Sequence, residues 1–275
     1  MKHIDRLNRL TESHGALKPG RRPAAALAVA IALSACATRF EPAADGAGPR
    51  LRMQSSTLAP GRGGELIDAS SLAIGDILLS AAPTLQSAAI QLATLAPVSH
   101  ALLYLGDGRV VEAVGDGVRV RTLDAVVAEE SMVVAFRDPR LTPTQAVAAR
   151  DWAIGNVGLR YNTVGVLLNA PFVVNRRVCE LPLVPGPLRD ACVRGFAMVQ
   201  LGSSRDDRFF CSQLVLQAYA RAGAPLTDAD PGWMSPADVL HLREGDVASL
   251  ATGRPLRYVG HLKYTPSPAA PVDAT

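Results

Sequence analysis

Two Gly-Asp-Gly triplets, at 106–108 and 115–117, separate three short β-prone runs: Ser99–Leu105, Arg109–Val114 and Val118–Thr122. Turn residues at that spacing specify an antiparallel meander. Its register decides the chemistry. If three residues form the first loop, with Gly108 in the left-handed position, Leu105 pairs with Arg109 and Leu102 stands opposite Glu112. His100 then lies diagonally from Glu112 on one sheet face, within reach of a hydrogen bond. A two-residue loop places the pair on opposite faces, because one residue of slip turns every side chain over. The plainer readings are a satisfied surface histidine and a Glu112 paired with an arginine, since a carboxylate amid Val110, Val111, Ala113 and Val114 needs a partner.

The second constraining stretch is Arg208-Phe209-Phe210-Cys211-Ser212-Gln213-Leu214-Val215-Leu216-Gln217-Ala218-Tyr219. Leu214, Val215, Ala218 and Ala222 follow helical spacing, and Gly223 lies just past the end. Cys211 thus falls in the first helical turn, where unpaired N–H groups and the helix dipole favour a thiolate. A histidine within reach makes such a cysteine a nucleophile; without one it is an ordinary buried small residue.

Around these two stretches the chain alternates strands and helices. Ile74–Ser80 reads as a first strand and Thr84–Ala93 as a helix with Leu85, Ala88, Ala89 and Leu92 on one face, ended by Pro97. Met132–Arg137 reads as a strand. Thr142 caps a helix through Asn156, with Pro143 at its first position and Ala146, Ala149, Ala153 and Val157 on its apolar face. Ser235-Pro236 opens a short helix and Leu256–Tyr264 supplies the last strand or strands. The expected class is α+β, an antiparallel sheet packed against helices.

Residues 1–35 are a different kind of sequence. Lys2, Arg6, Arg9, Lys18, Arg21 and Arg22 oppose only Asp5 and Glu12, and an apolar run from Ala24 to Leu33 follows. That run has signal-peptide length and is too short to span a bilayer. It ends in Leu33-Ser34-Ala35-Cys36, which resembles the bacterial lipoprotein signal. The resemblance implies cleavage before Cys36 and a lipid on that cysteine. An ordinary secretory signal cut after Ala35 implies the same compartment. Ala37 is not aspartate, which for a Gram-negative lipoprotein points to the periplasmic face of the outer membrane. Removing the leader's excess of four positive charges from the total of +3 leaves −1, so nothing suggests nucleic acid.

Residues 36–64, rich in Ala, Gly, Pro, Arg and Ser, read as a flexible tether. The domain is expected over 65–265, with an insertion or lid at about 164–201, and 266–275 as a disordered tail. Cys179 and Cys192 flank the proline-rich Leu181–Pro187 and could staple that loop, leaving Cys211 as the odd thiol. The alternative keeps all three reduced. A metal site from Cys179, Cys192 and Cys211 with His241 or His261 fits no zinc spacing, so no metal or other cofactor is expected.

His100, Glu112 and Cys211, in that order, resemble the circularly permuted, papain-like cysteine hydrolases of the NlpC type, the YiiX-like or YaeF-like group. The matching pieces are Gly75-Asp76-Ile77-Leu78, His100-Ala-Leu-Leu-Tyr-Leu-Gly106 leading to Glu112, and Phe210-Cys211-Ser212-Gln213-Leu214-Val215. Gly158 and Tyr161 resemble a fourth element, and Ser235-Pro236 a weaker fifth. The resemblance covers roughly Leu66 to Tyr264 without 164–201. It implies a Cys-His-Glu triad working through a thioester acyl-enzyme, with Tyr161 near the oxyanion. The substrate would be an envelope peptide or amide, or a lipid acyl group, and the membrane would be reached through the N-terminal lipid. A non-catalytic lipid-binding lipoprotein is the competing class. Leu102 stands where a glycine is common, implying a narrower or greasier cleft, and Gln213 replaces a frequent glutamate.

Overall fold

The computed structural model describes residues 37–41, 48–58, 64–162, 171–201 and 208–264. The leader, Cys36, residues 164–170 of the expected insertion and the expected tail lie outside these. The ten strands are β1 (Thr38–Glu41), β2 (Arg50–Met53), β3 (Ile77–Ala81), β4 (His100–Gly106), β5 (Arg109–Val114), β6 (Gly117–Thr122), β7 (Met132–Arg137), β8 (Arg160–Tyr161), β9 (Arg208–Phe209) and β10 (Arg257–Tyr264). The helices are α1 (Leu85–Thr94), α2 (Leu123–Glu129), α3 (Pro143–Gly155), α4 (Gly186–Gln200), α5 (Cys211–Arg221) and α6 (Pro236–His241).

The meander β4–β5–β6 forms one side of a six-stranded sheet ordered β10-β7-β3-β4-β5-β6, antiparallel throughout. Side-chain alternation splits its apolar residues between two cores. Ala101, Leu103, Leu105, Val111 and Ala113 face the larger one, against Leu214, Val215 and Ala218 of α5 and Ala149 and Ala153 of α3. Leu78, Leu102, Tyr104 and Val110 face the smaller, closed by Leu123 and Val126 of α2. Each large side chain so buried contributes about 1.5–3 kcal/mol relative to exposure, which holds α5 to the sheet.

The first turn differs from the three-residue loop that the register argument needs. Gly106 pairs with Arg109, so the loop is the two residues Asp107-Gly108, both with positive φ (51° and 64°). That is the turn Asp-Gly favours in tight hairpins. A β-bulge between Tyr104 and Gly106 then absorbs one residue, and Leu103 pairs with Val111. Glu112 and His100 therefore share a face after all, by a bulge and not by loop length.

Three further differences matter. The stretch expected as a flexible tether carries β1 and β2, an antiparallel ribbon with Phe40 opposite Leu51. It is docked: Ala37 and Thr38 are buried, Arg189 Nη1 donates to Thr38 O at 2.7 Å, and Ser55 N–H donates to Asp246 Oδ1 at 2.9 Å. A compositional argument sees small and polar residues there but not the partners awaiting them. The proline-rich loop gives way at Gly186 to α4, with proline in its first turn, where the missing N–H costs nothing. Leu85 and Leu92 of α1 are exposed and do not form the expected apolar stripe, whereas on α3 Ala146, Ala149 and Ala153 are buried as expected and only Val157, beyond the helix, is exposed. The predicted cap at Thr142 and the predicted helix start at Ser235-Pro236 are both present, each with a reciprocal capping box.

Candidate active site

Cys211 is the first residue of α5 and is buried, with Leu214, Val215 and Ala218 anchoring the helix behind it. Tyr219, two turns on, donates its hydroxyl to Gly75 O at 2.5 Å, and Ser212 Oγ donates to Met234 O at 2.6 Å. The helix end is thus fixed both to the start of β3 and to the loop before α6. The Gly75-Asp76 motif is part of this scaffold, since Arg137 clamps both Asp76 oxygens at 2.7 and 2.6 Å.

His100 opens β4, an inner strand of the sheet, opposite Ser80 of β3. Its Nε2 and Glu112 Oε2 are 2.9 Å apart, which leaves Nδ1 outside that bond, and the ring lies within electrostatic reach of the Cys211 thiol in the same cleft. The backbone N–H groups of Ala101 and Ser212 also favour the thiolate. Glu112 is almost inaccessible, and its second oxygen accepts from Arg119 Nε at 2.8 Å with Arg121 Nη1 at 3.6 Å. The plainer arginine pairing and the histidine pairing therefore coexist, one on each carboxylate oxygen.

The electrostatics follow from those contacts. Burial works against charge on all three groups. For Cys211, the His100 charge and hydrogen bond and the two backbone N–H groups outweigh it and hold the thiol below its ordinary range. For His100, the charge of Cys211 and its hydrogen bond, then Glu112, lift the imidazole to about 10. For Glu112, the His100 hydrogen bond and charge, then Arg119, lower the carboxyl to about 2. The resting state these contacts favour is a thiolate–imidazolium pair backed by a carboxylate, the arrangement of an activated cysteine nucleophile.

Tyr161 lies across the cleft on β8. Gly117 has φ +117°, and a Cβ there would stand 2.5 Å from Leu159 O. That close approach lets Val118 N–H bond Leu159 O at 2.9 Å and Gly158 N–H bond Val118 O at 2.8 Å. β8 then pairs in parallel with β9, Tyr161 beside Phe209, two residues before Cys211. Burial first, then the Cys211 charge, push the Tyr161 hydroxyl's pKa up, so it stays a proton donor.

The cleft has a volume of about 460 Å³. Its lining includes apolar side chains, Ile90 and Ala93 of α1, Val173 and Phe210, and charged ones, Arg119, Arg121, Glu129 and Glu130. Burial pushes the Glu130 carboxyl up, and its Oε2 has no hydrogen-bond partner among the described residues. Sequence reasoning missed this charged lining, although Val118-Arg119-Val120-Arg121 alternates as an edge strand does. Leu102 is fully buried in the smaller core and does not line the cleft, so the expected narrowing is absent. Phe209 packs edge-on against Trp152, with ring centroids 5.6 Å apart, and does not reach the cleft either.

Cys179 and Cys192 are joined by a disulfide, and Cys211 is a free thiol. His241 pairs with Asp246 at 2.9 Å and His261 with Tyr258 Oη at 2.6 Å. The alternative metal arrangement is therefore not assembled, since two of its sulfurs are bonded to each other. The disulfide holds α4 to the residues that carry Arg176. That buried arginine clamps Asp238 at 2.5 and 3.0 Å, and Asp238 caps α6 through Ser235, which lines the cleft.

The class the fold defines is α+β, an antiparallel sheet packed against helices, with a cysteine at a helix N-terminus and a histidine from the sheet lining one cleft. The probable lipoprotein peptidase YaeF of Escherichia coli (strain K12) is 38% identical over 200 residues, 72% of this chain and 73% of that protein. The chain belongs to the YaeF family. No protein-family model matches it. A crystal structure of the metalloprotein YiiX from Escherichia coli O157:H7 aligns over 56% of this chain and 69% of that one, with 23% identity and a TM-score of 0.38.

Proposed function

We propose that this protein is an exported, lipid-anchored cysteine hydrolase of the cell envelope, a peptidase or amidase of the permuted, NlpC-like, papain-like type. The observation that carries the reading is the His100 imidazole, held at 2.9 Å by the buried Glu112 and sharing one cleft with the Cys211 thiol. The name of the E. coli relative, a probable lipoprotein peptidase, and the Leu33-Ser34-Ala35-Cys36 leader end support the class and the anchor. The leader points to the periplasmic face of the outer membrane.

In the proposed reaction the Cys211 thiolate attacks the substrate carbonyl carbon. The resulting oxyanion accepts from the first-turn N–H of Cys211 and from the Tyr161 hydroxyl, where one donor contributes about 3 kcal/mol. The carbon–nitrogen bond breaks and the leaving amine takes its proton from the His100 imidazolium, which leaves a thioester. Water then adds to the thioester as His100 takes its proton. The acid departs and the thiolate–imidazolium pair is restored. Glu112 holds the ring in place and stabilises its cationic form.

The test compares wild type with Cys211→Ala on muropeptides and on acylated lipids. Wild type should release a cleaved muropeptide, and the variant nothing. The apolar part of the lining, Ile90, Ala93, Val173 and Phe210, favours a second reading, hydrolysis or transfer of a lipid acyl group by the same thioester chemistry. Product from the acylated lipid alone would select it. A non-catalytic lipid-binding lipoprotein would give no product from either. Its Cys211 would also alkylate with iodoacetamide no faster than a free thiol of pKa about 8.5.

A further inference from the structure

The docked ribbon bears on how the protein meets its membrane. We infer that the face around β1 and β2 lies directly on the lipid bilayer. The inference rests on the lipid-anchor reading of Cys36 and goes beyond it by assigning a face. Ala37 and Thr38 are buried to 0% and 3% exposure. Ala37 O accepts from Gln54 N–H at 2.8 Å, Thr38 Oγ1 accepts from Leu183 N–H at 2.8 Å and Thr38 O from Arg189 at 2.7 Å. A lipid carried at position 36 therefore joins the folded chain one peptide unit away, about 3.8 Å from Cα to Cα. No spacer remains between anchor and domain, so the surface next to Ala37 meets the headgroups.

That surface has the chemistry of a membrane-seated one. The register Thr38↔Met53 and Phe40↔Leu51 puts Phe40, Leu51 and Met53 on one ribbon face, where they are 58%, 46% and 55% exposed. Leu183, 60% exposed, shares a hollow with Phe40 and Thr38 and continues the apolar patch. Contiguous exposed apolar residues of this size mark an interaction surface. Arg39 and Arg50, both exposed on the ribbon's other face, form no ion pair among the described residues, and their stems can carry guanidinium groups to lipid phosphates. Apolar side chains at such an interface settle about 5–10 Å into the boundary between headgroups and acyl chains.

The full chain, expressed with its leader and purified in lipidated form, is reconstituted into phosphatidylethanolamine–phosphatidylglycerol vesicles with bromine-labelled acyl chains. The variants Phe40→Trp, Leu183→Trp and Val120→Trp are each compared with the parent chain to isolate the added tryptophan. The added emission at positions 40 and 183 should lose most of its intensity, and that at Val120 on the edge strand β6 should keep it. If Phe40→Trp does not fold, Leu183→Trp reads the same face. Vesicle flotation without quenching at these positions, or with equal quenching at Val120, overturns the face and leaves the anchor standing. Failure to float overturns the anchor, and the face falls with it.

Discussion

His100 with Glu112 and His241 with Asp246 are both paired at 2.9 Å, and both carboxylates are almost inaccessible. Both also have an arginine at 2.8 Å, Arg119 on Glu112 and Arg243 on Asp246. They differ in what lies beyond the ring and around the acid. His100 lines the cleft together with the thiol of Cys211. Asp246 instead accepts from the backbone N–H groups of Ser55 and Val247, and so fastens the stretch after β2. A buried histidine–carboxylate pair is thus an orienting device. It becomes chemical only when the imidazole's free edge meets a nucleophile at an opening.

The largest effect that separates the two pairs is in turnover. His100→Ala should lower kcat/KM by on the order of 10³-fold or more, while His241→Asn leaves it near wild type. Equal losses from both would end the distinction. Glu112→Gln should follow, with kcat reduced by on the order of 10²-fold and the basic limb of the pH profile displaced downwards. In wild type, activity should fall at high pH as the imidazolium titrates through about 10, and at low pH as the thiolate protonates below its ordinary range. Burial and the Glu112 contacts have the corresponding linkage. The Glu112 carboxyl, lowered from 4.5 to about 2, stabilises the fold fully above 4.5 and stops doing so as pH falls through about 2. A Glu112→Gln profile that overlays wild type would mean that the carboxylate does not tune the ring.

How much of this was legible beforehand divides along the same line. His100, Glu112 and Cys211 stood out because polar groups interrupt strongly periodic β and helical runs. The register that joins two of them was reachable only conditionally, since a bulge at Leu105 adds no residue type of its own. Asp246 gave no signal, because the backbone N–H groups of Ser55 and Val247 that it accepts from leave no trace in a sequence, and His241 drew notice only as a candidate metal ligand, not as the partner of Asp246. The docking of 37–58 was hidden for the same reason: backbone carbonyls and N–H groups make its contacts, and every sequence has those. Arg119 and Arg121 were visible as alternation, but alternation on an edge strand is also what solvent exposure produces.

On the structural side, Asp246→Asn should cost about 3 kcal/mol, as removing one partner of a buried pair does, measured by urea unfolding with activity per folded molecule retained. The double variant Cys179→Ser, Cys192→Ser opens a loop with a sequence separation of 13 and should cost about 3 kcal/mol by chain entropy. Cys211 should alkylate unchanged in it; slower alkylation would mean that the staple also shapes the site. The smallest effect is expected at Arg119, whose side chain is 43% exposed. Arg119→Gln should change kcat/KM by an amount worth less than about 1 kcal/mol, and a larger drop would make it a second essential support of Glu112.

The parallel pairing of β8 with β9 has a consequence for the chain that runs between them. Arg160 and Tyr161 leave beside Arg208 and Phe209, where that chain returns, and neighbouring strands stand about 4.8 Å apart. Because the two strands run the same way, that chain must cross from the far end of one to the near end of the other, and on its way it delivers Val173 to the cleft and Arg176 to Asp238. The tyrosine's seat is therefore tied to the same crossover that buttresses the cleft's rim, and shortening it would disturb both at once.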